Sequence, residues 1–64
     1  MKKNSKKSVS TISKMVMDFL STKYGIFYFD DNFKSEIKET VDWYDLDIFK
    51  SISHLVQKYE FKAI

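Results

Sequence analysis

Residues 25–32 read Gly25-Ile26-Phe27-Tyr28-Phe29-Asp30-Asp31-Asn32: four bulky apolar side chains in a row, closed off by aspartates, in a chain of 64 residues. Whether this stretch is a strand or a connector decides the fold. In a strand, Ile26 and Tyr28 would face one side and Phe27 and Phe29 the other, so both faces would need cover. The run Glu60-Phe61-Lys62-Ala63-Ile64 alternates polar and apolar residues and offers an edge partner. As a buried connector between two helices, the stretch has an ordinary loop length. We favour the connector, in a mainly α, small three-helix domain, and keep a minor two-stranded element (26–29 with 61–64) as its variant.

Working outward, proline is absent and Gly25 is the single glycine, so helix limits must be read from apolar periodicity and capping residues. Val9, Ile12, Val16, Phe19 and Leu20 fall on one helical face, with Met15 and Met17 on its borders, which predicts a helix from Ser8 or Ser10 to Tyr24. Gly25 then stands where a left-handed residue closes a helix. Asp30 or Asp31 can cap a second helix, whose narrow stripe is Phe33, Ile37, Val41 and Tyr44. Trp43 lies about 100° of rotation from Tyr44, off that stripe. Asp45 and Asp47 can end this helix and cap a third, running from Leu46 or Ile48 to Glu60 on Ile48, Phe49, Ile52, Leu55, Val56 and Tyr59.

Size adds a constraint. A chain this short is one domain and buries only about 60% of its unfolded surface, yet it carries one tryptophan, four tyrosines and six phenylalanines. Cysteine is absent, so neither disulfides nor thiolate metal sites supplement the core. Some aromatic surface is therefore expected to stay exposed or meet another chain, and self-association into a homodimer follows as an expectation.

The net charge of +2 conceals a division. Lys2, Lys3, Lys6 and Lys7 make residues 1–7 a flexible basic tail, with the domain spanning 8–64. From Asp30 to Asp47 seven acids (Asp30, Asp31, Glu36, Glu39, Asp42, Asp45, Asp47) face only Lys34 and Lys38. A basic pI is thus poor support for a nucleic-acid-binding body. All the basic residues are lysine, which reads as the coding bias of an AT-rich genome and suggests a low-GC bacterium or one of its phages or plasmids. The basic N-terminus lacks the apolar run of a signal peptide, and no apolar stretch approaches the roughly 20 residues of a membrane span, so a cytoplasmic protein without membrane contact is expected.

Chemistry is sparse. His54 is the single histidine and sits on the polar face of the third helix between Lys50 and Lys58, without an orienting carboxylate at helical spacing. An EF-hand loop starting at Asp30 would carry Lys34 at its fifth position and Ser35 in place of glycine at its sixth; one starting at Asp45 would have Phe49 at its fifth. Catalytic residues, cofactors and metals are therefore not expected. The order strand, helix, helix resembles ribbon-helix-helix DNA-binding dimers in layout, but such a ribbon presents polar side chains to bases, and residues 26–29 offer one phenol.

Two binding readings remain. Glu36, Glu39, Asp42, Trp43, Phe27 and Tyr28 point to a protein partner, because exposed aromatics anchor interfaces and an acidic surface attracts a basic groove. Lys2, Lys3, Lys6, Lys7, Lys50, His54, Gln57 and Lys58 would serve the alternative, a small DNA-binding regulator in which Tyr44-Asp45-Leu46-Asp47 links two helices of a helix-turn-helix. Against it stand the acids beside that turn and the lack of arginine, the commonest guanine reader.

Overall fold

A computed structural model of the chain describes residues 5–64, with side chains from Val9 onward. It consists of α1 (Ser5–Tyr24), α2 (Asp31–Trp43) and α3 (Ile48–Tyr59), each packed on the other two. Tyr24 at the end of α1 contacts Phe61, just past α3, while Phe33 at the start of α2 contacts Tyr59 and Phe61. The helices therefore run up, down and up. At about 1.5 Å per residue α1 is roughly 30 Å long and α2 and α3 are each close to 20 Å, so α1 overhangs its partners and the molecule measures 39 × 20 × 18 Å. No helix among the described residues is long and apolar enough to cross a membrane.

The two-stranded element does not form: there is no strand among the described residues. Both segments engage the end of α1 instead of each other. The Ile26 amide donates to Leu20 O (3.2 Å), the Ile26 carbonyl accepts from Ser21 Oγ (2.7 Å), and the Ile64 amide donates to Lys23 O (3.0 Å). The side chains also depart from alternation. Ile26 and Phe29 pack on the core while Phe27 and Tyr28 stand in water. The aromatic run is thus a connector that turns inward at its two ends.

Limits of α1 differ from expectation at one end only. It closes at Tyr24, where Gly25 takes φ +67° and its amide donates to Ser21 O (3.1 Å). It begins at Ser5, earlier than Ser8, so the backbone of Lys6 and Lys7 is helical. Lys2 and Lys3 lie outside the described residues, as do the side chains of Lys6 and Lys7. The two aspartate caps form as their positions imply. Asp30 Oδ1 accepts from the Phe33 amide (2.8 Å) and Asp47 Oδ1 from the Lys50 amide (3.0 Å), each satisfying a donor that the first helical turn leaves free.

Two further helix ends use left-handed residues that are not glycine. After α2, Asp45 has φ 59°, the Asp45 amide donates to Asp42 O (3.1 Å) and the Leu46 amide to Val41 O (2.8 Å). After α3, Glu60 has φ 58° and the Phe61 amide donates to Val56 O (3.1 Å). Both are Schellman-type closures in which the following apolar residue, Leu46 or Phe61, folds back onto the core.

The core takes two residues from each helix: Val16 and Leu20, Ile37 and Val41, Ile52 and Leu55. Spacings of four, four and three place each pair on one helical face, which is what lets three short helices share one centre. Ser13 and Ser51 are also buried. Ser51 Oγ donates to Asp47 O (2.8 Å), whereas Ser13 Oγ has no partner. An aromatic layer seals the end where α1 stops: Phe29 stacks on Phe33 (5.4 Å), Tyr59 stacks on Phe61 (5.3 Å), Phe33 meets Tyr59 edge-on (5.5 Å), and Tyr24 links Phe61 to Phe19.

Candidate functional site

The opposite end, around the turn from α2 to α3, is built differently. Trp43 lies two residues past Val41, about 200° around the helix from a core position, and its indole is 81% exposed. Phe49 occupies the first turn of α3. It was expected on the inward face, yet it is 74% exposed, because Ile48 takes the inward direction there. Tyr44 stands between them: its hydroxyl meets His54 Nδ1 at 3.1 Å, with the two rings 5.5 Å apart.

Two shallow grooves meet at this Tyr44–His54 pair. One, between α2 and α3, is lined by Glu36, Glu39, Thr40, Trp43, Tyr44, His54 and Lys58. The other, over the outer face of α3, is lined by Tyr44, Phe49, Lys50, Ser53, His54 and Gln57. It continues past Phe49 and Gln57 towards Phe19, Tyr24 and Val56 on the α1 side. Trp43 and Phe49 therefore flank one band of surface, with Tyr44 and His54 at its middle.

The charges near the band are unequally engaged. The one ion pair among the described residues joins Lys58 to Glu36, whose other oxygen accepts from the Tyr59 hydroxyl. The hydrogen bond from Lys58, followed by that from Tyr59, holds the Glu36 carboxyl below its usual range, and the same contacts raise Lys58 and Tyr59. Glu36 is consequently half-buried and committed to the α2–α3 seam. Glu39, Asp42 and Asp45 are exposed and carry no ion pair among the described residues. Asp47, which caps α3, adds a fourth acid beside the same turn.

The sequence-derived sites are thus redistributed. Glu39, Asp42 and Trp43 come together at the α2–α3 turn. Phe27 and Tyr28 lie before the N-terminus of α2, about 20 Å away along that helix, so they form a separate patch. Lys50, His54 and Gln57 do share the outer face of α3, while Lys58 is turned to Glu36. Phe49 is the exposed aromatic that helical periodicity concealed, since a wheel cannot tell a first-turn position without a neighbour from a covered one. No group of three metal-ligating side chains occurs among the described residues. Comparison with known proteins returns nothing similar: no family model, no curated protein and no solved structure matches the chain.

Proposed function

We propose that this chain is a small non-enzymatic binding module that docks a basic protein surface on its Trp43 end and thereby modulates or inhibits that protein. The observation that carries the reading is the exposed Trp43 indole beside Glu39, Asp42 and Asp45, none of them in an ion pair among the described residues. An exposed tryptophan covers much apolar area and loses little rotamer freedom on binding, which is why it anchors interfaces. Unpaired acids around it favour a partner rich in lysine or arginine and raise the association rate. A nucleic-acid-binding groove has that character, and occupying such a groove is a simple route to inhibition. The lysine-only composition supports a phage or plasmid origin and action in the cytoplasm of a low-GC host.

A second reading has one observation in its favour. Lys50, His54 and Gln57 line one shallow groove on an exposed helix face, the layout a small DNA-binding regulator requires. Phe49 in the same groove and Asp45 and Asp47 at the start of α3 oppose phosphate.

The test is affinity capture from a nuclease-treated host lysate, followed by binding measurements on the captured protein and on random duplex DNA. Trp43→Ala should weaken protein binding about 30-fold or more, the scale of an interface anchor. Glu39→Lys with Asp42→Lys should slow association, most of all at low salt. Tighter duplex binding by that pair, weaker duplex binding by Lys50→Glu, and no change in protein capture would overturn the reading in favour of DNA.

A further inference from the structure

The other exposed aromatic patch has a different charge pattern, and that difference identifies its partner. Phe27 and Tyr28 are each 79% exposed and adjacent in the chain. Ile64, at 88% exposure, joins them, because its amide is tied to Lys23 O and its Cδ1 lies 3.1 Å from where a Cβ on Gly25 would sit. Three large apolar side chains are thereby gathered at one end of the bundle, outside the aromatic layer that seals the core. The backbone of Phe27 and Tyr28 is also unengaged: neither amide nor carbonyl has a hydrogen-bond partner among the described residues.

Charges of both signs border this patch. Lys23 and Lys62 flank Ile64, and Asp30 and Asp31 follow Phe29 at the start of α2; all four are exposed and free of ion pairs among the described residues. A two-fold interface must complement itself, so each charged group has to find its opposite within the same patch on the other copy. The Phe27 end satisfies this condition. At the Trp43 end Glu39, Asp42, Asp45 and Asp47 outnumber Lys50, so a second copy placed there would set mostly acids against acids.

We infer that the Phe27–Tyr28–Ile64 surface is a homodimer interface, in which two copies meet about a two-fold axis with Lys23 and Lys62 of each facing Asp30 and Asp31 of the other. The connectors at 26–29 lie across the axis, where their unengaged amides and carbonyls can pair between copies. The inference is independent of what Trp43 binds. It has a consequence for that site, however: α2 separates the two surfaces by about 20 Å, so dimerisation leaves both Trp43 faces open and makes the assembly bivalent. Two linked sites raise avidity for a repetitive or dimeric partner without any new contact.

Analytical ultracentrifugation of the full chain between about 1 and 100 µM, the range that reveals a micromolar dissociation constant, should give a species of twice 7.7 kDa. Phe27→Ser with Tyr28→Ser should shift it to monomer, weakening association at least tenfold. Helical circular dichroism should be unchanged, because neither ring packs on the core. A charge arm keeps the test decisive if that variant misfolds. Asp31→Lys and Lys62→Glu should each weaken the dimer severalfold, and the two together in one chain should restore it. A wild-type monomer throughout the range would overturn the inference. So would a dimer that survives the aromatic double substitution but is lost in Trp43→Ala.

Discussion

The aromatic layer under the end of α1 and the turn from α2 to α3 use the same kind of residue to opposite effect. Where α1 closes, Phe29, Phe33, Phe61 and Tyr24 pack on the core, and Tyr59 lies against Phe33 and Phe61. Where α2 turns into α3, Trp43 and Phe49 stand in solvent. Phe33 is four residues before Ile37, one turn along the same stripe, whereas Trp43 is two after Val41, on nearly the opposite side of the helix. On α2, angular position relative to a six-residue core separates aromatics that hold the fold from aromatics left in solvent. The lesson extends to charge. Glu36, one turn before Thr40 on the seam side, is drawn into a contact with Lys58 and Tyr59, while Glu39 and Asp42 remain free.

The sharpest way to break this comparison is to truncate one aromatic from each end. Phe33→Ala should destabilise the fold by about 3 kcal/mol, the low end for a phenylalanine that is not fully buried. In a domain this small that is a large share of the total stability, so chemical denaturation should show a markedly lower midpoint or an unfolded chain at 37 °C. Trp43→Ala should change stability by less than about 0.5 kcal/mol, as for surface substitutions generally. Equal losses would mean that Trp43 is structural and the proposed division of labour is wrong.

A smaller effect, of opposite sign at two helix ends, tests the left-handed closures. Gly25→Ala should cost about 1 kcal/mol, because a Cβ at φ +67° is unfavourable and would press on Ile64. Glu60→Gly should gain between about 0.5 and 1 kcal/mol, since glycine adopts φ 58° without that penalty. Thermal melts of both variants give the comparison directly. A fall in melting temperature for Glu60→Gly would show that the Glu60 side chain contributes more than its backbone strain removes.

The Glu36 seam predicts a pH profile. With its carboxyl held below the usual range, Glu36 contributes stability that is present above the ordinary carboxylate pKa and lost as pH falls through the lowered one. Lys58 and Tyr59 are raised, so their contribution is present below their ordinary values and lost as pH rises through the raised ones. Stability measured by denaturant should be flat across neutral pH and fall at both extremes. In Glu36→Gln the acid-side fall should become shallower, and the whole effect should be small because the seam is solvent-accessible. An unchanged acid limb would show that Glu36 is not the group responsible.

The smallest effect is expected at Ser13. Its hydroxyl is buried without a partner, so Ser13→Ala removes a desolvation cost and only one atom of packing. The melting temperature should hold or rise slightly, corresponding to no more than about 1 kcal/mol. A clear loss would mean that the hydroxyl finds a bond in solution.

Much of this architecture is legible along the chain. Val16 and Leu20, Ile37 and Val41, Ile52 and Leu55 all fall on the stripes that apolar spacing picks out, and Asp30, Asp47 and Gly25 act at the helix limits where their chemistry suits them. Three things are harder to read. Asp45 and Glu60 occupy left-handed positions that composition alone assigns to glycine or asparagine, because the closing hydrogen bonds and the packing of Leu46 and Phe61 outweigh a modest backbone penalty. Phe49 reads as core on a helical wheel. The alternation at 61–64 reads as a strand, although its amides bond to helix ends, Phe61 to Val56 O of α3 and Ile64 to Lys23 O of α1.

The sequence by itself determined the number of helices, their apolar faces, the aspartate caps and the separation of an acidic middle from a basic start, because these depend on periodicity and on contacts within a few residues. Only the tertiary structure decided which surplus aromatics are sealed in and which are left exposed, and which acid is consumed by a lysine 22 residues away. Those outcomes depend on which side chains from distant parts of the chain compete for the same limited interior. In a core of six residues there is room for few of them.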